Sequence, residues 1–173
     1  MNNARFTKDA ALIGIALAVI VLQSSVISRI AWPLNGPNFI FLLFIPWVLS
    51  ETPFRAALIG FLMGAVLDLA PPGDGPAGQW ALVMTLIGFG LATYAERSRD
   101  LVQSPLVEVG IFALGALALL LAWGTLGLMV GDDRASAKYF FQFIPTSLLW
   151  NVVLAPFVLP VVRKTTFVRR VRR

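Results

Sequence analysis

Asp68 closes the run Gly60-Phe61-Leu62-Met63-Gly64-Ala65-Val66-Leu67-Asp68-Leu69. A carboxylate in such apolar company suits three kinds of chemistry: proton relay, cation ligation, or acceptance of hydrogen bonds from backbone amides. At mid-membrane a carboxylate costs about 2.5–3.5 kcal/mol on insertion scales, and less near a span end. Asp68 lies in the last turn of its apolar stretch, where it can reach an interface or border a polar pocket. Gly60, Gly64 and Asp68 share four-residue spacing, so one helical face carries all three. Proton and ion pathways show several buried polar groups. Here the company is Gln23, Thr85, Thr125 and Asn151. The structural role ranks first: Asp68 orders the loop that follows it, or meets a partner.

That loop is Ala70-Pro71-Pro72-Gly73-Asp74-Gly75-Pro76-Ala77-Gly78. Glycines such as Gly75 and Gly78 permit positive φ and close backbone approach, while the prolines restrict the loop. It lacks the Gly-Lys-Ser/Thr ending of a phosphate loop. Its expected role is a re-entrant turn or partner-facing cap. Other reactive groups are scarce. Cysteine and histidine are absent, which removes disulfides, thiolate sites, and the commonest metal ligand and general base. Glu51, Glu96, Asp100 and Glu108 fall to one side of the expected membrane, and Asp74, Asp132 and Asp133 to the other. No nucleophile sits beside a base. We expect no enzyme, no metal and no cofactor, and no nucleic-acid partner.

Apolar spans must position these residues. The chain of 173 residues is 58% hydrophobic and 13% charged, about half the charge of a soluble domain. The apolar stretches read as six spans: Ala10–Ile27, Phe39–Leu49, Ala56–Leu69, Gly78–Tyr94, Val109–Val130 and Ile144–Val162. The predicted fold is an all-α integral membrane protein, a single bundle of about six transmembrane helices over residues 1–162, with a basic tail at 163–173. The first span reads as a retained anchor. Its apolar run exceeds a signal core, and Gln23-Ser24-Ser25-Val26 offers no clear cleavage site.

Six spans put both termini on one side. That side and the even connections hold eleven of the fourteen basic residues: Arg5, Lys8, Arg55, Arg97, Arg99, Arg163, Lys164, Arg169, Arg170, Arg172 and Arg173. Only Arg29, Arg134 and Lys138 fall on the other. Basic loops stay in the cytoplasm during insertion, so both termini are expected there. The tail, Arg163 to Arg173, fits contact with anionic lipid at about 1 kcal/mol per charge, and equally the enforcement of topology.

Within the spans, Phe39–Leu49 is short and carries Pro46, so a kinked helix beginning near Asn35-Gly36-Pro37 is expected. Pro156 should bend the last span and Pro160 mark its end. Small residues form stripes: Ala10, Gly14 and Ala18; Gly60 and Gly64; and Gly110, Gly115, Gly124, Gly127 and Gly131. Each reads first as internal packing and second as a docking face. Trp32, Trp47 and Trp80 are expected as interface anchors, with Trp123 and Trp150 further inside.

The run Gly60-x3-Gly64-x3-Asp68-Leu69, the Gly/Pro turn and Gly78-Gln79-Trp80-Ala81-Leu82 together resemble the MreD family of bacterial rod shape-determining proteins. The specific part covers Gly60 to Leu82. The turn is slightly longer here than the family pattern. The resemblance implies an inner-membrane, non-enzymatic component of the elongation machinery that supports cell shape and peptidoglycan synthesis. It implies association with an MreC-like bitopic scaffold. Through that scaffold it implies contact with a RodA-like polymerase, a class B penicillin-binding protein and the MreB cytoskeleton. It also implies an architecture like the substrate-binding components of energy-coupling-factor transporters. Gly60, Gly64, Asp68, Gly75 and Gly78 would form or brace the docking face.

The rival reading is such a transporter component itself, binding a vitamin. A pocket of that kind needs several convergent donors and acceptors. The chain offers Asp68, Asp74, Gln79, Asn35, Asn38 and Gln142.

Overall fold

The computed structural model describes residues 14–23, 25, 36–70, 76–98 and 105–166, the side chains of 105 and 161–166 excepted. Six helices account for most of them: α1 (Gly14–Gln23), α2 (Phe39–Leu49), α3 (Pro53–Leu69), α4 (Gln79–Arg97), α5 (Pro105–Val130) and α6 (Ile144–Thr166). A π-helical turn, Tyr139–Phe143, leads directly into α6. No strand occurs among the described residues. Leu106–Val130 and Tyr139–Pro160 are each long and apolar enough to cross a membrane.

The short α2 is the axis of the bundle. Every residue from Ile40 to Val48 is buried, the mark of a helix apolar on all sides. It packs against α3, α4, α5 and α6. Phe41, Phe44 and Ile45 meet Phe112, Leu119 and Leu120 of α5 in one continuous core that also takes Met84, Ala155 and Leu159. The other helices turn large apolar side chains outward, among them Phe54, Leu62, Leu86, Leu114 and Phe157.

Local chemistry sets the helix ends. Pro53 occupies the first turn of α3, where its missing N–H costs nothing. At the end of α5, Gly131 takes φ +79°. There the Asp132 N–H donates to Gly127 O at 2.8 Å and the Gly131 N–H to Leu128 O at 3.3 Å. These are the paired bonds of a Schellman stop, and they need a residue tolerant of positive φ.

Several expectations are corrected. The second helix begins at Phe39, with Asn38 as its cap. Gly36 takes φ +66°, which breaks a right-handed helix at that point. The last helix runs through Pro160 to Thr166. A proline removes one ladder bond, and the bonds on either side can still close. The connection before α6 is partly helical, through the π turn. Trp47 is 4% exposed and belongs to the core, so it is no interface anchor. Trp32 and most of the expected first span lie outside the described residues.

Candidate functional site

Among the described residues, the α3–α4 hairpin is the most closely packed pair of helices. Gly60 and Gly64 are both buried. A methyl group on Gly60 would collide with the Met84 carbonyl oxygen and stand 2.6 Å from Met84 C. One on Gly64 would collide with Trp80 O and stand 2.6 Å from Ala81 N. From the other helix, Gly88 faces Ala56 O, 3.0 Å from where its Cβ would be. The two backbones therefore touch along the hairpin. Such contact gains dispersion and loses no side-chain entropy. Gly60 and Gly64 lie inside the chain and brace the hairpin; they offer no outward surface.

Asp68 completes this unit. The Trp80 N–H donates to its Oδ1 at 3.0 Å and the Ala81 N–H to its Oδ2 at 3.0 Å. Those amides are the second and third of α4, and they have no partner within their own helix. The local cap position cannot serve them. It is Gly78, at φ +90°, with no side chain to offer. Usual capping residues hold extended backbone there, which this turn does not. Capping passes instead to a carboxylate in the last turn of the preceding helix, one residue from its end. Its charge is also well placed against the positive end of the α4 dipole. The acceptor role reaches past the loop to the helix beyond it. Gly75 lies outside the described residues.

Beside the cap, Gln79 is 7% exposed and its Nε2 donates to Trp123 O at 2.7 Å. The sequence offers Gln79 as part of the Gly78 to Leu82 run and as a group for a ligand pocket, and neither reading points to this bond. A run of rings follows: Phe41 to Trp80 (6.0 Å between centroids), Trp80 stacked on Trp123 (5.5 Å) and Trp123 to Tyr139 (5.0 Å). Tyr139 donates its hydroxyl to Leu120 O at 3.0 Å. Gly124 makes the room, since a methyl group there would stand 2.6 Å from Tyr139 Cε1.

The connection 131–138 folds back on this stack. Arg134 lies 5.5 Å from the centre of the Trp123 ring. It also pairs with Asp132 at 2.8 Å. The Arg134 hydrogen bonds hold the Asp132 carboxyl below the usual carboxylate range, against a smaller opposing effect of burial. A lowered value contributes stability above the ordinary carboxylate pKa of about 3.9. That contribution is lost as pH falls through the lowered folded value. Acidification through that lowered value, below the ordinary carboxylate range, is therefore expected to free Arg134 from its anchor. A change in tryptophan emission, absent in Asp132→Asn, would report it.

A second cap lies at the start of α2. Gln23 of α1 donates to Pro37 O and accepts from the Phe39 N–H, at 3.3 and 3.2 Å. Asn38 accepts from the Ile40 N–H at 3.2 Å. Asn151, fully buried in α6, accepts from the Asn38 N–H at 3.2 Å and donates to Ser147 O at 2.8 Å. Three separate chain segments thus satisfy a helix start enclosed in the bundle. Only the fold shows this role, although Asn151 four residues after Ser147 on an apolar helix was the available signal. Asn151→Leu strands a buried amide and is expected to cost about 1–3 kcal/mol, read as a lower unfolding temperature.

The remaining polar residues do not converge on a pocket. Asp68, Gln79 and Asn38 are bonded to backbone as described, Gln142 is exposed, and Asn35 and Asp74 lie outside the described residues. Thr85 and Thr125 bond back to carbonyls of their own helices. Glu51 pairs with Arg55 at 3.0 Å. Among the described residues, no three acidic side chains gather as metal ligands would. Of the small-residue stripes, Gly115, Gly124 and Gly127 pack internally, while Gly14 and Gly110 have nothing within 4 Å of a notional Cβ. Arg163 and Lys164 fall in the last turns of α6, and Arg169, Arg170, Arg172 and Arg173 lie outside the described residues.

These features define a class: an all-helical bundle with helices fit to cross a membrane, whose described buried polar groups chiefly cap helix ends and fasten backbone. The particular family follows from comparison. The sequence matches the family model described as rod shape-determining protein MreD over residues 5–169, and the chain belongs to that family. Its members are membrane proteins that act in determining rod cell shape. Searches among curated proteins and among solved structures returned no match.

Proposed function

We propose that this protein is a non-enzymatic, multi-pass component of the bacterial elongation machinery, held in the cytoplasmic membrane with both termini inside. Its role is to dock an MreC-like bitopic scaffold. Through that scaffold it supports a RodA-like polymerase, a class B penicillin-binding protein and the MreB cytoskeleton. The orientation rests on the eleven-to-three division of basic residues. The basic tail would rest on anionic headgroups.

The observation that carries the reading is the Asp68 cap on a hairpin already locked through Gly60 and Gly64. A docking element must keep its shape without its partner, because ordering on binding costs affinity. This hairpin holds its cap and its backbone contacts within itself, through Asp68, Gly60 and Gly64. In this orientation Asp68 and the following loop face the outside, where a scaffold's extracytoplasmic part can meet them.

Purification of the tagged protein from cross-linked membranes, with mass spectrometry of what accompanies it, tests the reading. MreC-like and RodA-like proteins are the expected companions. Recovery of a coupling membrane protein with paired ATPases would overturn it in favour of solute uptake. Asp68→Leu at normal abundance with unchanged companions would remove the hairpin from the account.

A further inference from the structure

The lipid-facing walls of the bundle differ in length. α3 has 17 residues and α4 has 19, about 25 and 28 Å at 1.5 Å per residue. Charge shortens the usable part. On α3, Arg55 and Asp68 bracket residues 56–67, about 18 Å. On α4, Glu96 closes a run that begins with the helix at Gln79, so residues 79–95 span about 26 Å. The outward apolar residues of α3 run from Phe54, 79% exposed, to Leu69, 83% exposed, about 23 Å apart along the axis. On the other wall, residues 109–130 of α5, beyond Glu108, span about 33 Å, and residues 144–162 of α6, before Arg163, about 28 Å. The hydrocarbon of a typical bilayer is about 30 Å thick.

We propose that the α3–α4 face takes a locally thinned annulus of short-chain or compressed lipid, while the α5–α6 face sits in bilayer of ordinary thickness. The proposal rests on the membrane-spanning reading above. Tilting reconciles a long helix with a thin bilayer, but it makes a short one shorter. The hairpin also cannot lengthen by sliding. Gly60, Gly64 and Gly88 hold the two backbones in one register, and Asp68 ties the end of α3 to the first turn of α4. Arg55 and Arg97 at one end, and Asp68 at the other, mark where headgroups must meet the hairpin. The bilayer is then the compliant partner, and the protein carries a built-in asymmetry of membrane thickness.

The absence of cysteine makes the test clean. Leu86→Cys on the hairpin face and Leu114→Cys on α5, 61% and 68% exposed, each take an environment-sensitive fluorophore in the full-length protein. Reconstitution follows in vesicles that mix brominated phosphatidylcholines of fourteen- and eighteen-carbon chains, one brominated at a time. Competitive quenching gives the relative affinity of each face for each lipid. The expected result is about a threefold preference for the shorter lipid at position 86, absent or reversed at position 114. Equal preference at the two sites would overturn the proposal. Quenching at 114 with none at 86 would also overturn it, by showing protein over the hairpin. Failure to quench at either site would instead sink the membrane-spanning reading.

Discussion

Asp68→Ala is expected to lower the stability of the purified protein by about 2–4 kcal/mol, from the loss of two hydrogen bonds to a charged acceptor. The substitution leaves the Trp80 and Ala81 amides without their acceptor. Gly78 has no side chain to replace it. Asp68→Asn keeps one carbonyl oxygen and loses the charge, so it should fall about midway. Thermal unfolding in detergent, followed by circular dichroism, should rank wild type above Asn and Asn above Ala. A proton relay predicts a different pattern, with both variants inactive and both as stable as wild type. That second pattern would refute the capping role. Loss of the cap also loosens the Trp80–Trp123 stack, so tryptophan emission should shift along with the melt.

Gly60→Ala and Gly64→Ala are expected to be at least as severe. Each added methyl group meets main chain, at Met84 in one case and at Trp80 and Ala81 in the other. A side chain can rotate away from a collision; a helix backbone can only retreat. Overpacking costs about 1–3 kcal/mol and sometimes more, and here retreat also draws Trp80 and Ala81 away from Asp68. The two substitutions share one interface, so their effects should not add. Gly14→Ala and Gly110→Ala are the controls. Both positions are helical and open, and alanine there should be neutral or stabilising by about 0.5–1 kcal/mol. If all four variants melted alike, the backbone contact between α3 and α4 would be refuted.

The contrast between these glycines shows where sequence reading stopped. All belong to the small-residue stripes that the sequence offers. Spacing reports which residues share a helical face, and a face has no direction until a neighbour occupies it. The stripe on α3 lies against backbone, while Gly14 on α1 and Gly110 on α5 are open. Gln23 and Asn151 show the same limit. Each is an amide side chain in or at the end of an apolar stretch, and the two are more than a hundred positions apart. Both serve the start of α2, and no local signal links them.

The sequence by itself determined the helical class, the positions of the apolar segments and the prominence of Asp68. These follow from composition, from runs of apolar residues and from the cost of a carboxylate among them, all of which are local or additive along the chain. The Gly60 to Leu82 run also carried the family resemblance, and the family match covers residues 5–169. The tertiary structure alone decided what Asp68 does. A carboxylate seeks any donor in reach, and the donors it found belong to a helix whose own cap position, Gly78 at positive φ, has nothing to offer. That pairing exists only once Gly60 and Gly64 have brought two backbones together, because hydrogen bonds across a hairpin depend on distance in space and leave no period in the chain.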